Sequence, residues 1–260
     1  LVHDAGHRAI FKSVKMNDIF GSIFSSLISL GFSPWKTKHD KHHSNPNEEG
    51  KDPDINLPLL SFTKERYHAK MGILKFLTRY QAYLYFPLST FGGFSIRMIS
   101  IKYYKNNFKL KLLPEILFFS LGFFSWFILP FILFGFLKAL LIVLIINLIG
   151  GFYIFNIFAP NHKGVLYLPK DANLAFLEHQ IITARNINGN WFTDLLYMGL
   201  NYQIEHHLFP NCPRNRLRLI KPHVQEICDK FDLPYSRVGV IESNKIILSE
   251  LNHIALSARF

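Results

Sequence analysis

The chain has 260 residues, enough for one large domain, and no long polar linker divides it. Its residues are 49% hydrophobic and 18% charged, so apolar and polar stretches must be segregated, as in a membrane protein with a polar face. The two cysteines exclude a disulfide framework, and the net charge of +11, placed beside apolar segments, favours a membrane surface over nucleic acid as the partner.

The chain begins with a histidine cluster and a short apolar segment. His3 and His7 are four residues apart, so on a helix both rings lie on one face. Residues 19–32 are apolar, but this stretch is too short to cross the ~30 Å hydrocarbon layer, and we expect a re-entrant or interfacial segment. Because the first residue is Leu1 rather than Met, we also expect the chain to be truncated at its N-terminus.

A second cluster and a polar turn come next. His39, His42 and His43 have the i, i+3, i+4 spacing that places side chains on one face of a helix. The sequence Asp52-Pro53-Asp54 predicts a turn whose carboxylates contact a metal ligand or cap a helix.

Two long apolar runs predict a transmembrane hairpin at about residues 113–159. Residues 113–134 and 139–159 are each long enough to span a bilayer, and a tight connector, residues 135–138, joins them. Basic residues flank both outer ends of the hairpin, whereas the connector carries only Lys138. We therefore expect both outer ends on the cytoplasmic side.

The remainder, from about residue 160 to 260, is mixed in polarity and predicts a cytoplasmic helical cap. The expected fold is all-α, with multi-pass membrane helices below this cap. The cap contains the third cluster, Gln203-Ile204-Glu205-His206-His207. Because the hairpin returns the chain to the side that it left, we expect the three clusters to meet at the cytoplasmic interface.

The three clusters have the composition of a metal site. Imidazole is the commonest protein ligand for metals and suits iron, zinc, copper or nickel. A zinc site uses three or four protein ligands, so seven clustered histidines predict two metal ions. The acids within the clusters are expected to hold the second ring N–H of a ligating histidine rather than to bind metal; these are Asp4, Asp40 and Glu205.

The clusters lie within longer motifs that occur in a fixed order: HDAGHRAIF, KHDKHHSNPNEEGKDPDIN, FAPNHKG, HQIITARNI and NYQIEHHLFPNCPRNRL. The chain thereby resembles the membrane-bound fatty acid desaturase family, whose histidine boxes read HxxxH, HxxHH and HxxHH or QxxHH. It is most similar to the acyl-CoA desaturase branch with a glutamine-led third box, which includes actinobacterial stearoyl-CoA desaturases and front-end desaturases. The similarity covers residues 1 to about 222.

This resemblance implies a non-haem diiron centre. Matched by position, its ligands would be His3, His7, His39, His42, His43, His206 and His207, with His162 as an additional ligand after the last span. Gln203 stands where many members have histidine, so it is a weak ligand, binds through water, or only forms hydrogen bonds. Animal relatives use an asparagine ligand where this chain has Phe158, and His179 is expected beside the site rather than on the metal.

The resemblance also implies an oxidoreductase that uses O2 to introduce a cis double bond into an acyl-CoA or acyl-lipid chain, in a bacterial inner membrane or endoplasmic reticulum. Its electrons would come from an external ferredoxin or cytochrome b5-type donor with its reductase, since the chain has no flavin, nicotinamide or CxxC motif. A basic face is expected to dock this donor or coenzyme A phosphates, unless it is a solvated surface or binds anionic lipid: Arg214, Arg216, Arg218 and Lys221.

Three other functions are weighed against this one. A lipid hydroxylase would use the same iron site to insert oxygen, but the third box and KDPDIN favour desaturation. A metal transporter would carry histidines or acids within its spans, whereas these clusters lie outside them. A membrane zinc hydrolase would be expected to carry HExxH, which does not occur here.

Overall fold

The structure is a computed structural model that describes residues 1–257, and the chain is mostly helical. It divides into two compact units. The first comprises residues 1–39 and 89–155, and the second comprises residues 40–88 and 156 onward. The second histidine cluster is shared between them, because His39 belongs to the first unit and His42 and His43 belong to the second.

Fifteen α-helices account for most of residues 1–257. In chain order they are α1 (Val2–Gly6), α2 (Val14–Ser26), α3 (Phe32–Ser44), α4 (Lys64–His68), α5 (Gly72–Thr78), α6 (Gln81–Ser89), α7 (Gly92–Asn106), α8 (Leu113–Phe123), α9 (Leu129–Phe134), α10 (Phe136–His162), α11 (Phe176–Ile182), α12 (Trp191–Leu196), α13 (Gln203–Leu208), α14 (Arg214–Lys230) and α15 (Val240–Ser257). A short 3-10 helix, Leu110–Leu112, precedes α8, and a π-helical segment, Phe124–Ile128, lies between α8 and α9.

Two helical stretches are long and apolar enough to cross a membrane, Leu110–Phe134 and Phe136–His162. Only 17% and 22% of their most apolar windows are buried, whereas the core helix of a soluble protein would be mostly buried. The predicted pair of apolar helices is therefore present. The predicted four-residue connector is wrong, because α10 begins at Phe136 and only Gly135, with φ of 72°, separates the two stretches.

The first of these stretches changes its helical pitch near its C-terminal end. Pro130 has no backbone N–H and cannot donate to the carbonyl one turn earlier. The chain forms the π-helical segment Phe124–Ile128 directly before α9. A wider turn before a proline accommodates the missing hydrogen bond without ending the helix.

Helix α3, which carries the second histidine cluster, is anchored at its N-terminus by a carboxylate from α8. Glu115 accepts hydrogen bonds from the Ser33 backbone N–H at 2.7 Å and from the Ser33 hydroxyl at 2.5 Å. The Tyr104 hydroxyl donates to the same carboxylate at 2.6 Å. A negative charge at a helix N-terminus satisfies free N–H groups and complements the helix dipole, so Glu115 fixes where α3 starts.

The turn after α2 packs against the middle of the stretch Leu110–Phe134. The Trp126 indole donates to the Leu27 carbonyl at 2.7 Å, and Gly122 lies directly against the Ser26 backbone. A segment lying on the surface of a membrane would not reach the middle of a spanning helix. These contacts therefore favour the re-entrant interpretation of residues 19–32, which stays a prediction.

Helices α7 and α10 approach each other closely at a glycine. A Cβ atom added to Gly151 would overlap the Thr90 carbonyl oxygen and lie 2.8 Å from the Gly93 backbone nitrogen. The neighbouring Gly150 has no atom within 4 Å of the same added position. Two adjacent glycines of one helix thus differ completely in the space around them.

Replacing Gly151 with alanine is expected to lower the free energy of unfolding by about 1–3 kcal/mol, because the contact is with backbone that cannot rotate away. Gly150→Ala is the matched control, and it should change stability by no more than about 1 kcal/mol, in the stabilising direction, through helix propensity. Thermal unfolding of the two detergent-solubilised variants measures both effects. Equal destabilisation by both substitutions would contradict the close packing.

The expectation of an all-α fold needs one correction. Two short strands, β1 (Asn186–Asn188) and β2 (Arg237–Gly239), pair in parallel, with Ile187 opposite Val238. Parallel pairing of such distant segments carries no local periodic signal, and three residues are too few to show alternation. The pair ties the chain after α11 to the start of α15 in the second unit.

Candidate metal centre

Three histidines meet in the first unit, and we call them the first histidine group: His3, His7 and His39. Helix α1 carries His3, His7 directly follows that helix, and α3 carries His39. Their nearest ring nitrogens all lie within 4.8 Å of one another, and the Nε2 atoms of His7 and His39 are 2.8 Å apart. The His39 ring stacks on Trp35 at 4.7 Å, which holds it in place.

His7 of this group is held as a neutral imidazole. Burial, together with the neighbouring charges of His3 and Lys36, lowers the pKa of His7 to about 2, although Asp4 opposes the shift. Only a neutral imidazole offers a lone pair to a metal. The surroundings of His7 therefore favour the ligating form.

A second set, the histidine trio, lies in the second unit and consists of His42, His162 and His207. All three side chains are buried, and one nitrogen from each lies within 4.8 Å of the others. The three residues come from α3, the last residue of α10, and α13. Histidines of the second and third clusters thus lie together with His162 in this unit, and the meeting of all three clusters at one interface stays a prediction.

Hydrogen bonds set the tautomer of each ring in the trio. The Nδ1 atom lies 3.0 Å from Asp52 Oδ2 in His42, 3.0 Å from the Thr183 carbonyl in His162, and 2.8 Å from Gln180 Oε1 in His207. Carboxylate, carbonyl and amide oxygens accept hydrogen bonds, so each Nδ1 carries the proton. All three Nε2 atoms are thereby left with a lone pair, as in metal-bound histidines.

The distances between these lone pairs fit a metal ion. The Nε2 atoms of His42 and His162 are 3.3 Å apart, and with both protons on Nδ1 neither can donate to the other. Such lone pairs repel unless a cation or a proton lies between them. Two nitrogens bound to one ion at about 2.0–2.1 Å, at angles of about 90–110°, would be about 2.8–3.4 Å apart, so the observed separation matches a shared ion.

His207 has a buried ring nitrogen that a metal ion would satisfy. Its Nε2 atom is buried and has no hydrogen-bond partner among residues 1–257. Burial lowers the pKa of His207 well below its ordinary value, and the nearby imidazoles of His43 and His162 lower it further. A neutral, buried ring nitrogen with an unused lone pair costs free energy unless something binds it.

His43 and His206 form a further pair in the second unit. Their Nε2 atoms are 3.1 Å apart, and the His43 ring stacks on His207 at 4.2 Å. Gln180 contacts both His43 and His207. Its amide nitrogen donates to the His43 carbonyl at 3.2 Å, and its amide oxygen accepts from His207 Nδ1 at 2.8 Å. One glutamine of α11 thus connects α3 with α13 beside the trio.

Gln203, a predicted weak ligand, turns its amide nitrogen toward the trio. This nitrogen lies 2.9 Å from His162 Nε2, while its oxygen accepts from Asn161 at 3.0 Å. In this orientation Gln203 donates a hydrogen bond to the same Nε2 lone pair of His162 that a bound metal would use, so a metal there would displace the Gln203 amide. Of the three roles left open for it, hydrogen bonding is the one that the contacts favour, and metal binding by Gln203 stays a prediction.

The residues expected to support the ligands lie in different surroundings. Asp4 is 3.9 Å from His3 Nδ1, and Asp40 is exposed. Glu205 is fully buried and accepts from Asn186 at 2.8 Å and from the Tyr235 hydroxyl at 2.5 Å, so these contacts are not with an imidazole. His179 is buried with its Nε2 2.9 Å from the Pro46 carbonyl, which anchors α11 to the chain after α3.

Several residues that orient the trio were not predicted from the sequence. Gln180 and the Thr183 carbonyl hold His207 and His162, and Asn47 donates to the His162 carbonyl at 2.7 Å. The position of Gln180 beside His179 in HQIITARNI was the one available signal for it. Thr183 lies in the same motif, but every residue has a backbone carbonyl, so the motif does not show that this one accepts from His162.

The fold and the site together define a helical protein with two membrane-length helices and buried histidines arranged to hold metal. Over residues 1–239 the chain matches the family described as Fatty acid desaturase. The chain belongs to this family. The family and the two apolar helices indicate association with a membrane and with lipid.

The chain is similar to curated desaturases from several eukaryotes. It is 32% identical to a Delta(8)-fatty-acid desaturase of Euglena gracilis, covering 100% of this chain and 64% of that protein. It is 31% identical to a Delta(6)-fatty-acid desaturase of Caenorhabditis elegans, with 98% and 61% covered, and 28% identical to a Delta 8-(E)-sphingolipid desaturase of Lachancea kluyveri, with 100% and 49% covered. The chain thus spans about half to two thirds of the length of these relatives.

Proposed function

We propose that this chain is the catalytic part of an O2-dependent fatty acyl desaturase whose histidines hold two iron ions. The observation that carries this proposal is the histidine trio, in which Nδ1 partners leave the Nε2 atoms of all three rings unprotonated, the form that binds a metal, and the buried Nε2 of His207 has no partner among residues 1–257. Family membership supports the choice of iron and of desaturation. The relatives that match are themselves named desaturases.

The proposed ligands are the eight histidines His3, His7, His39, His42, His43, His162, His206 and His207. Bound iron would supply the oxidising power, with O2, that is needed to remove hydrogen from a methylene, which has no acidic proton for a side chain to take. The protein's own residues orient the ligands and keep them neutral. Asp52 and Gln180 hold Nδ1 protons, and burial keeps water from the trio.

The proposed substrate is a fatty acyl chain carried by coenzyme A or by a lipid. The two membrane-length helices support delivery of this chain from within the bilayer, and His162, the last residue of α10, would then lie at the membrane boundary. Lys102, Lys105, Lys109 and Lys111 precede the first of these helices, which supports a cytoplasmic position for that boundary and a multi-pass arrangement.

Each turnover needs electrons from another protein. We assign this role to an external ferredoxin or cytochrome b5-type donor with its reductase. The basic side chains near the start of α14, which include Arg216 and Arg218, suit an acidic donor surface.

The test is expression of the full-length protein in a desaturase-deficient host, with iron analysis of the purified protein. We expect about two irons per chain, the number that eight histidines suggest by ligand count, and a new cis double bond located by mass spectrometry. The His206→Ala variant lacks one proposed ligand, and it should give no product while the protein remains in the membrane. Zinc without iron in the wild-type protein, or product from the His206→Ala variant, would contradict the proposal.

A further inference from the structure

The C-terminal end of α10, which presents His162, has every one of its last carbonyl groups occupied. The Ala159 carbonyl accepts from the Lys163 backbone at 2.8 Å, and the His162 carbonyl accepts from the Asn47 side chain at 2.7 Å. The other two, from Pro160 and Asn161, are occupied by one residue, Arg185. Helix ends normally leave these carbonyls to water, and here the end is buried.

Arg185 binds this helix end with both its backbone and its side chain. Its backbone N–H donates to the Asn161 carbonyl at 2.8 Å. Its guanidinium donates to the Pro160 carbonyl at 3.0 and 2.5 Å, to the Lys163 carbonyl at 2.8 Å, and to the Gly164 carbonyl at 3.4 Å. The residue is 1% exposed, so these contacts form without competition from water.

The charge of Arg185 is balanced in an unusual way. It forms no ion pair with a carboxylate among residues 1–257, and its guanidinium donates to backbone carbonyls alone. A helix C-terminus carries partial negative charge, which stabilises a cation placed there, most strongly where water is excluded. The long apolar helix α10 therefore supplies the counter-charge for Arg185.

The same short segment of chain also orients the ring of His162. The carbonyl of Thr183, two residues before Arg185, accepts from His162 Nδ1. Asn47 joins the two parts, because its amide contacts both the His162 carbonyl at 2.7 Å and the Thr183 carbonyl at 3.5 Å. The hydrogen bonds of Arg185 to the end of α10 thus help to set the distance between the Thr183 carbonyl and His162 Nδ1.

We propose that Arg185 is a positioning residue for the metal bound by the histidine trio. Its five hydrogen bonds hold the end of α10 against residues 183–185, and this fixes the direction of the His162 lone pair. Loss of the guanidinium leaves the buried carbonyls of Pro160 and Lys163 without these hydrogen bonds, and the end of α10 is no longer held in place. His162 is then poorly aligned as a ligand of the trio. None of the carbonyl groups that Arg185 contacts belongs to a residue of the first histidine group. This inference rests on the proposed function, because it concerns the same metal site.

The experiment compares Arg185→Met, which keeps the length of the side chain, with Arg185→Lys, which keeps the charge. Full-length proteins in detergent are stripped with a chelator, reloaded with Fe²⁺ or with Co²⁺, and analysed for bound metal, for the Co²⁺ absorption spectrum and for thermal unfolding. We expect Arg185→Met to bind about one metal where the wild type binds about two. Arg185→Lys should bind the second metal about 10- to 100-fold more weakly, because a single ammonium cannot reproduce the planar set of donors.

Arg237→Gln is the matched control, since Arg237 is exposed on β2, and it should bind metal as the wild type does. Normal affinity for both metals in Arg185→Met, even with a lower unfolding temperature, would overturn the inference and leave Arg185 a purely structural residue. If Arg185→Met does not fold, Arg185→Lys decides: wild-type affinity for both metals overturns the inference, and a weakened second site supports it. A wild-type chain that binds no metal would instead contradict the proposed function.

Discussion

Replacing His207 with alanine is expected to remove about one of the two bound metals and to lower desaturation by more than about 100-fold, beyond the range found for loss of residues that only support a ligand. His207 is the expected site of greatest effect because its Nε2 atom is buried without a partner among residues 1–257. The substitution also leaves Gln180 without the ring that it holds. Metal analysis of the purified protein and product analysis in cells measure the two losses.

Two measurements separate this effect from unfolding. Helix content by circular dichroism and the amount of protein in the membrane fraction should stay near the wild-type values in His207→Ala. His253→Ala is the control, because His253 is exposed on α15 and belongs to neither histidine set. Full metal content in His207→Ala would show that the trio is not a metal site, and it would also remove the main support for the proposed function.

Asp52 is the site of the second large expected effect. Its carboxylate accepts from His42 Nδ1 at 3.0 Å, from the Asn47 backbone at 2.8 Å and from the Asp54 backbone at 2.8 Å. Burial opposes ionisation of this carboxyl, but the adjacent His42 imidazole nevertheless lowers the pKa of Asp52 below its ordinary value. The ionised form makes His42 a stronger ligand by holding its Nδ1 proton.

The expected result is a graded loss. Asp52→Asn keeps an oxygen near His42 but removes the negative charge, and it should weaken metal binding about 10-fold; Asp52→Ala removes both and should weaken it about 100-fold. Competition with a chelator gives both affinities, and Asp171→Asn is the control because that side chain is 69% exposed. Equal affinities for wild type and Asp52→Ala would show that Asp52 does not support the metal.

The family match covers most of this chain, but the chain covers only part of the length of its relatives. The match covers residues 1–239, which include the whole first unit and the second unit up to Gly239. The matched relatives are longer than this chain and carry names for fatty-acid, acyl-lipid and sphingolipid substrates. Tests of activity and of metal binding therefore both use the full-length protein.

The sequence was sufficient for the features that depend on residue type and local spacing. Imidazoles at i, i+3 and i+4 share a helix face whatever the rest of the chain does, which is why His42 and His43 could be named as ligand candidates. The apolar runs predicted two membrane-length helices because length and composition alone decide that property. Their connector was misjudged, since Lys138 and its neighbours are compatible with either a turn or a first helical turn.

The tertiary structure decided which groups surround each imidazole. The partners of the trio are a carbonyl at Thr183, an amide at Gln180 and a carboxylate at Asp52, brought together from separate segments. Of these three partners, only Asp52 was predicted from the sequence, because an acidic turn is recognisable in a sequence and the partner of a backbone carbonyl is not. Arg185 lies within the motif HQIITARNI, but the motif does not show whether its side chain is buried, because packing alone decides which arginines are shielded from water.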